Sequence, residues 1–160
     1  MHLELNARSQ RSRETLLKFA GFPGRKLFED YDFKFASGAP RKQLNELTSM
    51  AFVERAENVV LLGPSGVGKS HLAISLSHKA VSQSIKTRFI AAADMMLQLV
   101  IARQQERLDQ YLQRSILTPR LLIIDEIGFR IFGRDQASLL FNCIAKPYDH
   151  DTRSVTTNFP

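Results

Sequence analysis

Residues 61–73 read "LLGPSGVGKSHLA". Two leucines run into a glycine-rich turn, followed by a lysine, a serine and an apolar, helix-like run. Residues 63–70, "GPSGVGKS", fit G-x-x-x-x-G-K-[ST] at every fixed position. The needs of a bound triphosphate account for each of them, because its oxygens want many donors at short range. Gly63, Gly66 and Gly68 let the backbone turn so that consecutive N–H groups point inward, with no Cβ to block the approach. A helix starting near Lys69 adds its positive N-terminal end. Lys69 is expected to reach the β- and γ-phosphates, and the Ser70 hydroxyl to ligate Mg²⁺. A chance glycine turn is the competing reading. The context opposes it, since an apolar strand precedes the turn and an amphipathic helix follows. The expected nucleotide contacts are Gly63, Pro64, Ser65, Gly66, Val67, Gly68, Lys69, Ser70 and His71, with ATP and Mg²⁺ as ligands.

Outward from this loop the chain alternates. Residues 1–20 read as a basic, helix-compatible lead, broken by "GFPGRK" (21–26). In 43–55, Leu44, Leu47, Ala51 and Phe52 fall near helical spacing. "NVVLLG" (58–63) ends in glycine as a buried parallel strand would. Leu72, Ala73, Leu76 and Ala80 mark one face of the helix after the loop. "TRFIA" (87–91) predicts a second strand. Residues 94–116 predict a helix with Met96, Leu97, Val100, Leu108 and Leu112 turned inward and a break near 104–107. "RLLIIDE" (120–126) is the cleanest buried strand, and a helix is expected from about 134 to 146, stopped by Pro147. "SVTTN" (154–158) is a weak final strand. Alternation of this kind predicts an α/β fold around a parallel sheet. With the phosphate loop, it predicts a three-layer P-loop NTPase.

Such a site needs a carboxylate near its metal. "LLIIDE" supplies one at a strand's C-terminal end, where ligands bind in open α/β sheets. Asp125 is expected to hold Mg²⁺ through its water shell, and Glu126 to polarise a water for attack on the γ-phosphate. Two exposed acids capping a strand would look the same in isolation; the upstream loop favours the functional reading. A small-molecule kinase has the same loop but usually lacks an acid in the Glu126 role, and no substrate-closing lid is evident in 127–160. ATPase chemistry is therefore expected over phosphotransfer.

The wider composition is that of an ordinary globular chain. Of 160 residues, 44% are hydrophobic and 24% charged. No apolar run reaches the roughly 18 residues of a membrane helix. The N-terminal "MHLELNARSQ" has no secretory h-region. The single cysteine, Cys143, reads as a small core residue and excludes an intrachain disulfide. A cytoplasmic location without membrane attachment is expected. The net charge of +6 is spread along the chain, with seven Lys/Arg against five Asp/Glu in 1–40 and fifteen against eleven in 41–160. Arg8, Arg11 and Arg13 form the nearest thing to a cluster, readable as a solvated arm or as phosphate contacts.

At this point a resemblance enters. "GPSGVGKSHLAISLSHKA", "LLIIDEIGF", "FGRDQASLLFNCIAKPYD" and "TTNFP" resemble the IstB family, helper ATPases of insertion-sequence transposases. That family is similar to the DnaC-type helicase loaders within the AAA+ superfamily. "AGFPGRKLFEDYDF" and "FVERAENVVLLG" resemble its lead into the first strand, so the likeness covers roughly residues 18–160. It implies ATP binding, assembly on DNA as an oligomer, and presentation of a target site to a transposase. It also implies that Asn158 is the sensor-1 residue near the γ-phosphate and attacking water, a role the asparagine alone would not suggest. Catalysis would then rest on Glu126, Asn158 and Lys69, with Ser70 and Asp125 on the metal. Residues 1–40 would be a basic lead left from a helical DNA-binding region, and 41–160 an AAA+ ATP-binding domain.

Three departures from the family pattern shape the expectation. The chain stops just after the sensor, without a fifth strand or the region of the trans-acting arginine. In the strand order 5-1-4-3-2 this leaves the phosphate-loop strand at an edge. Most of the N-terminal helical region is absent. Arg153 and Ser154 stand where apolar strand residues belong, and Pro147 where the family usually has a basic residue. A trans-acting arginine is worth about 10³–10⁵ in rate in related hydrolases, so a fragment of a decayed mobile element, binding ATP but barely turning over, is an alternative, as is a DnaC-like loader. Among other residues, His71 and His78 share a helix face but lack metal-ligand spacing. Phe33 and Phe35 read as core or interface. Arg103, Arg107 and Arg114 read as a solvated face open to DNA contact. Arg130 and Arg134 flank the loop after Asp125, facing DNA or a neighbouring subunit.

Overall fold

The computed structural model describes residues 2–22, 41–55, 57, 59–62, 68–126, 133, 135, 138–139, 142 and 153–159, with backbone alone at 2–8, 60, 62 and 153–159. Four strands form one parallel sheet: β1 (Val59–Leu62), β2 (Thr87–Ala91), β3 (Leu121–Asp125) and β4 (Arg153–Phe159). Their order is β1-β4-β3-β2, the expected 1-4-3-2, and among the described residues β1 pairs with β4 alone.

Strand alternation divides the interior in two. Phe89, Leu121 and Ile123 pack with Leu44, Phe52, Leu72 and Leu76 from helices α2 (Arg41–Thr48), α3 (Ala51–Glu54) and α4 (Lys69–Ser82). Ile90, Leu122 and Ile124 pack on the opposite face with Met95, Leu99, Leu112 and Ile116. These come from helix α5 (Ala92–Gln104) and a π-helical turn, Leu112–Leu117, that follows the short α6 (Leu108–Tyr111). A helical layer on each face of a parallel sheet is the expected three-layer α/β architecture.

Helix α4 is buried nearly all round: Leu72, Ala73, Ile74, Ser75, Leu76, Ser77, Ala80 and Val81 are all inside. Its two buried hydroxyls stay satisfied by bonding back along the helix, Ser75 Oγ to the His71 carbonyl at 2.7 Å and Ser77 Oγ to the Ala73 carbonyl at 2.8 Å.

The basic lead is helix α1 (His2–Ala20), with Arg11 and Arg13 exposed. Its last turn docks on β2 and α4. Ala20 is fully buried, the Phe19 ring lies 4.6 Å from Lys86 Nζ, and the Phe22 and His78 rings are 4.3 Å apart. Gly21 ends the helix at φ 67°, where a Cβ would meet the Phe89 carbonyl at 3.6 Å. No described helix is long and apolar enough to cross a membrane.

The structure corrects two expectations. The periodic stretch 43–55 is two short helices, not one. Thr48 and Ser49 hydroxyls bond to the Asn45 and Glu46 carbonyls at 2.7 and 2.6 Å, and Met50 turns left-handed at φ 60°. Leu97 does not face inward but is 60% exposed. The buried stripe of α5 is Ala92, Met95, Met96, Leu99 and Ala102, which leaves Leu97 on the far side. The anticipated break is real: Glu106 adopts φ 56° and the Arg107 N–H donates to the Ala102 carbonyl at 2.8 Å. Residues 135, 138, 139 and 142 are helical; the rest of the helix expected over 134–146, Cys143 included, lies outside the described residues. So do Phe33, Phe35, Arg130 and Arg134.

Leu76→Ala should lower stability by about 2–5 kcal/mol, the usual cost of a buried leucine cavity. Leu97→Ala should stay within about 0.5 kcal/mol. Urea denaturation of the two variants checks the assigned burial.

Candidate nucleotide-binding site

β1 leads toward the glycine-rich turn and α4 leaves it. Gly63, Pro64, Ser65, Gly66 and Val67 lie outside the described residues. Gly68 is described, at φ 84°, a left-handed conformation that a side chain would strain. It forms the N-cap of α4, and its carbonyl takes the first helical bond, from the Leu72 N–H at 2.9 Å. Having no side chain, Gly68 cannot cap that turn itself. A helix start without a side-chain cap suits an anion.

The next three residues carry the chemistry. Lys69 is buried, at 8% exposure, although lysine is rarely so. The Ser70 hydroxyl donates to Asp125 Oδ1 at 3.1 Å. His71 is partly exposed, and His78, on the same helix, packs on Phe22.

Asp125 is the last residue of β3 and is 7% exposed. Besides Ser70, the N–H of Glu126 donates to the same Oδ1 at 3.0 Å. Serine hydroxyl and aspartate carboxylate are hard oxygen donors, the set that Mg²⁺ prefers. Among the described residues no group of three His, Cys, Asp or Glu could hold a metal ion. A cation here would therefore draw on phosphate oxygens together with Ser70 and Asp125. Ser70 and Asp125 thus touch, and Lys69 precedes Ser70 in the first turn of α4.

Glu126 is exposed and takes φ 57°, left-handed for a residue with a long side chain. Nothing in the motif announces this turn. It follows from the strand ending at Asp125 and the Glu126 amide folding back onto that carboxylate.

β4 lies between the other two partners. Leu61 pairs with Thr157 and Leu62 with Phe159, so Asn158 falls in a register skip, a bulge at the strand's C-terminal end. β3 pairs with β4 as far as Ile124↔Thr156. Asn158 is therefore on one of the two interior strands, at the same end of the sheet as Asp125. Arg153 and Ser154, odd by composition, are ladder partners of Leu121 and Leu122.

The chain matches the IstB-like ATP binding protein family over residues 1–160. It belongs to that family. Relatives agree with the assignment. The IstB-like chain is 43% identical over 155 residues to an IS21 insertion-sequence ATP-binding protein of Pseudomonas aeruginosa, covering 97% of this chain and 58% of that protein. It is 37% identical over 158 residues to the IS5376 ATP-binding protein of Geobacillus stearothermophilus, covering 99% and 62%. The chain thus spans about three-fifths of the length of these relatives. The fold is shared with the DnaC helicase loader, at TM-score 0.58 and 23% identity over 71% of this chain and 68% of that one. AMPPCP-bound DnaA of Aquifex aeolicus shares it at TM-score 0.64 and 16% identity, over 77% and 39%. The fold is that of the AAA+ P-loop domains.

Glu126→Gly should be more stable than Glu126→Ala by about 1 kcal/mol, because both remove the carboxylate but only alanine keeps a Cβ at positive φ. Chemical denaturation of the pair measures the difference, and equal stabilities would contradict the left-handed backbone at 126.

Proposed function

We propose that this IstB-like chain binds Mg·ATP at the end of the sheet and serves as the nucleotide-binding part of a helper protein in DNA transposition. The observation that carries the reading is the 3.1 Å hydrogen bond from Ser70 Oγ to Asp125 Oδ1. It joins the helix after the phosphate loop to the acid-bearing strand, which is where a metal-bound triphosphate needs both.

In this reading the amides of residues 63–70 hold the phosphates, with Pro64, Ser65, Val67 and His71 as flanking contacts. The buried Lys69 neutralises the β- and γ-phosphate oxygens; little water shields it, so its attraction is stronger than at a surface. Ser70 and Asp125 hold Mg²⁺, which when bound would neutralise charge on the transferring phosphoryl group. Glu126, exposed beside Asp125, orients and deprotonates the attacking water. Asn158, on β4, contacts the γ-phosphate and that water. Residues 41–160 form the ATP-binding domain, and residues 1–40 a basic lead.

The names of the relatives support a role with an insertion sequence. DNA, a transposase and further copies of the chain are the proposed partners of the full-length type. Exposed Arg11, Arg13, Arg103, Arg107 and Arg114 are available for phosphate contact. A cytoplasmic location goes with this reading.

Titration with Mg·ATP tests it. Saturation at a hundredfold excess over the dissociation constant should stabilise the chain by about 2.7 kcal/mol in a melting assay; a folded sample that takes up no nucleotide at millimolar concentration would refute the reading. Lys69→Ala should abolish or strongly weaken binding. Glu126→Gln should bind like the parent and lose whatever hydrolysis the parent shows, read as released phosphate; undiminished hydrolysis would remove Glu126 from the base role.

A further inference from the structure

α5 reads "AADMMLQLVIARQ", apolar on nearly every side. A helix of that kind is expected to be buried all round. Yet its outer side is open. Ala92, Met95, Met96, Leu99 and Ala102 are buried, whereas Leu97 is 60% and Ile101 41% exposed. Residues four apart are neighbours on a helix surface, so these two side chains form one patch. Beside it, the half-buried Val100 leads into a cleft of about 400 Å³, lined by Val100, Arg103, Gln104, Asp135 and Leu139. Single exposed leucines are ordinary. An apolar patch that runs into an open cleft and is rimmed by polar residues marks an interaction site.

The spacing of the patch shows what fits it. Asp94, Leu97, Ile101 and Gln104 are all exposed and run along the outer side of α5 at intervals of three, four and three residues. Both the order, polar, apolar, apolar, polar, and the intervals read the same from either end. A second α5 can therefore lie antiparallel across this stripe, with a two-fold axis midway between residues 97 and 101. Leu97 then meets Ile101 of the second copy, and Asp94 meets Gln104 of the second copy, whose amide can donate to the carboxylate. The same arrangement brings the helix end that carries Asp94 in its first turn toward the end that carries Arg103 in its last. Unlike charges and unlike ends of the helix dipole are then together. A self-complementary patch of this kind is what an isologous contact requires.

We propose that the outer face of α5 is a contact between two copies of this chain, joined antiparallel about a two-fold axis, with Leu97 and Ile101 at its centre. α5 covers the sheet face opposite α4, so the pairing leaves the phosphate-loop side of each copy open. The proposal goes beyond the nucleotide-binding reading and needs no bound nucleotide.

Sedimentation velocity over a concentration series, without nucleotide or DNA, tests it, with melting temperatures reporting folding. The parent should pass from monomer to dimer as concentration rises. Leu97→Glu and Ile101→Lys, each at an exposed position, should fold like the parent. Either one alone buries an unpaired charge at the contact and should raise the dissociation constant of the dimer about tenfold or more. Mixed together, the two variants should recover a dimer, because the new carboxylate of one faces the new ammonium of the other while a leucine and an isoleucine still meet across the axis. A parent that stays monomeric overturns the proposal, as do folded single variants that dimerise like the parent. An assembly larger than a dimer that both substitutions leave unchanged, or a mixture that does not pair, overturns it too. Mg·ATP binding by the same chains is measured separately, so failure of the nucleotide reading and failure of this contact are told apart.

Discussion

A single hydroxyl–carboxylate contact ties the molecule together. Ser70 and Asp125 are far apart in the chain, and their 3.1 Å hydrogen bond requires three things at once. The loop must hand the chain into α4 so that its first turn sits over the end of the sheet. β3 must end at Asp125 and no later. β4 must lie between β1 and β3 so that the two elements converge. A carboxylate removed from water is costly without donors, and Asp125 Oδ1 accepts from both Ser70 Oγ and the Glu126 amide. A hydrogen bond to a charged group is worth about 1.5–3 kcal/mol, so this contact stabilises the fold that brings the two residues together.

The layers serve that convergence. Two separate apolar interiors, one under α4 and one under α5, hold the sheet from both sides. α4 is buried on nearly all sides, which restricts how far its N-terminal turn can shift relative to Asp125. The docking of Phe19, Ala20 and Phe22 against β2 and α4 makes the end of α1 part of the same packed body.

Much of this was readable in advance because it depends on near neighbours in the chain. "GPSGVGKS" is a contiguous motif that calls for a glycine just before the lysine, and Gly68 takes a conformation that favours glycine. The short apolar runs "VVLL", "TRFIA" and "LLIID" read as strands, and they are β1, β2 and β3, with β3 buried throughout. The likeness to the IstB family was legible for a similar reason: it is carried by contiguous motifs. Leu97 shows the opposite case. "MMLQLVIA" is apolar on every side, so its periodicity does not select a face, and the sheet's position does. The end of α2 at Thr48–Ser49 was hidden because hydroxyl competition for helix carbonyls leaves no mark on apolar spacing.

The amino-acid sequence by itself determined the parallel α/β class, the order in which helices and strands follow, and the identities of the loop, the lysine, the serine and the two acids. Only the tertiary structure decided that Ser70 and Asp125 touch, that Glu126 turns left-handed, and that Asn158 falls in a bulge. The physical reason is that side-chain chemistry and local spacing act over a few residues, whereas strand register and the placing of a helix over a sheet are set by contacts between segments that the chain order does not bring together.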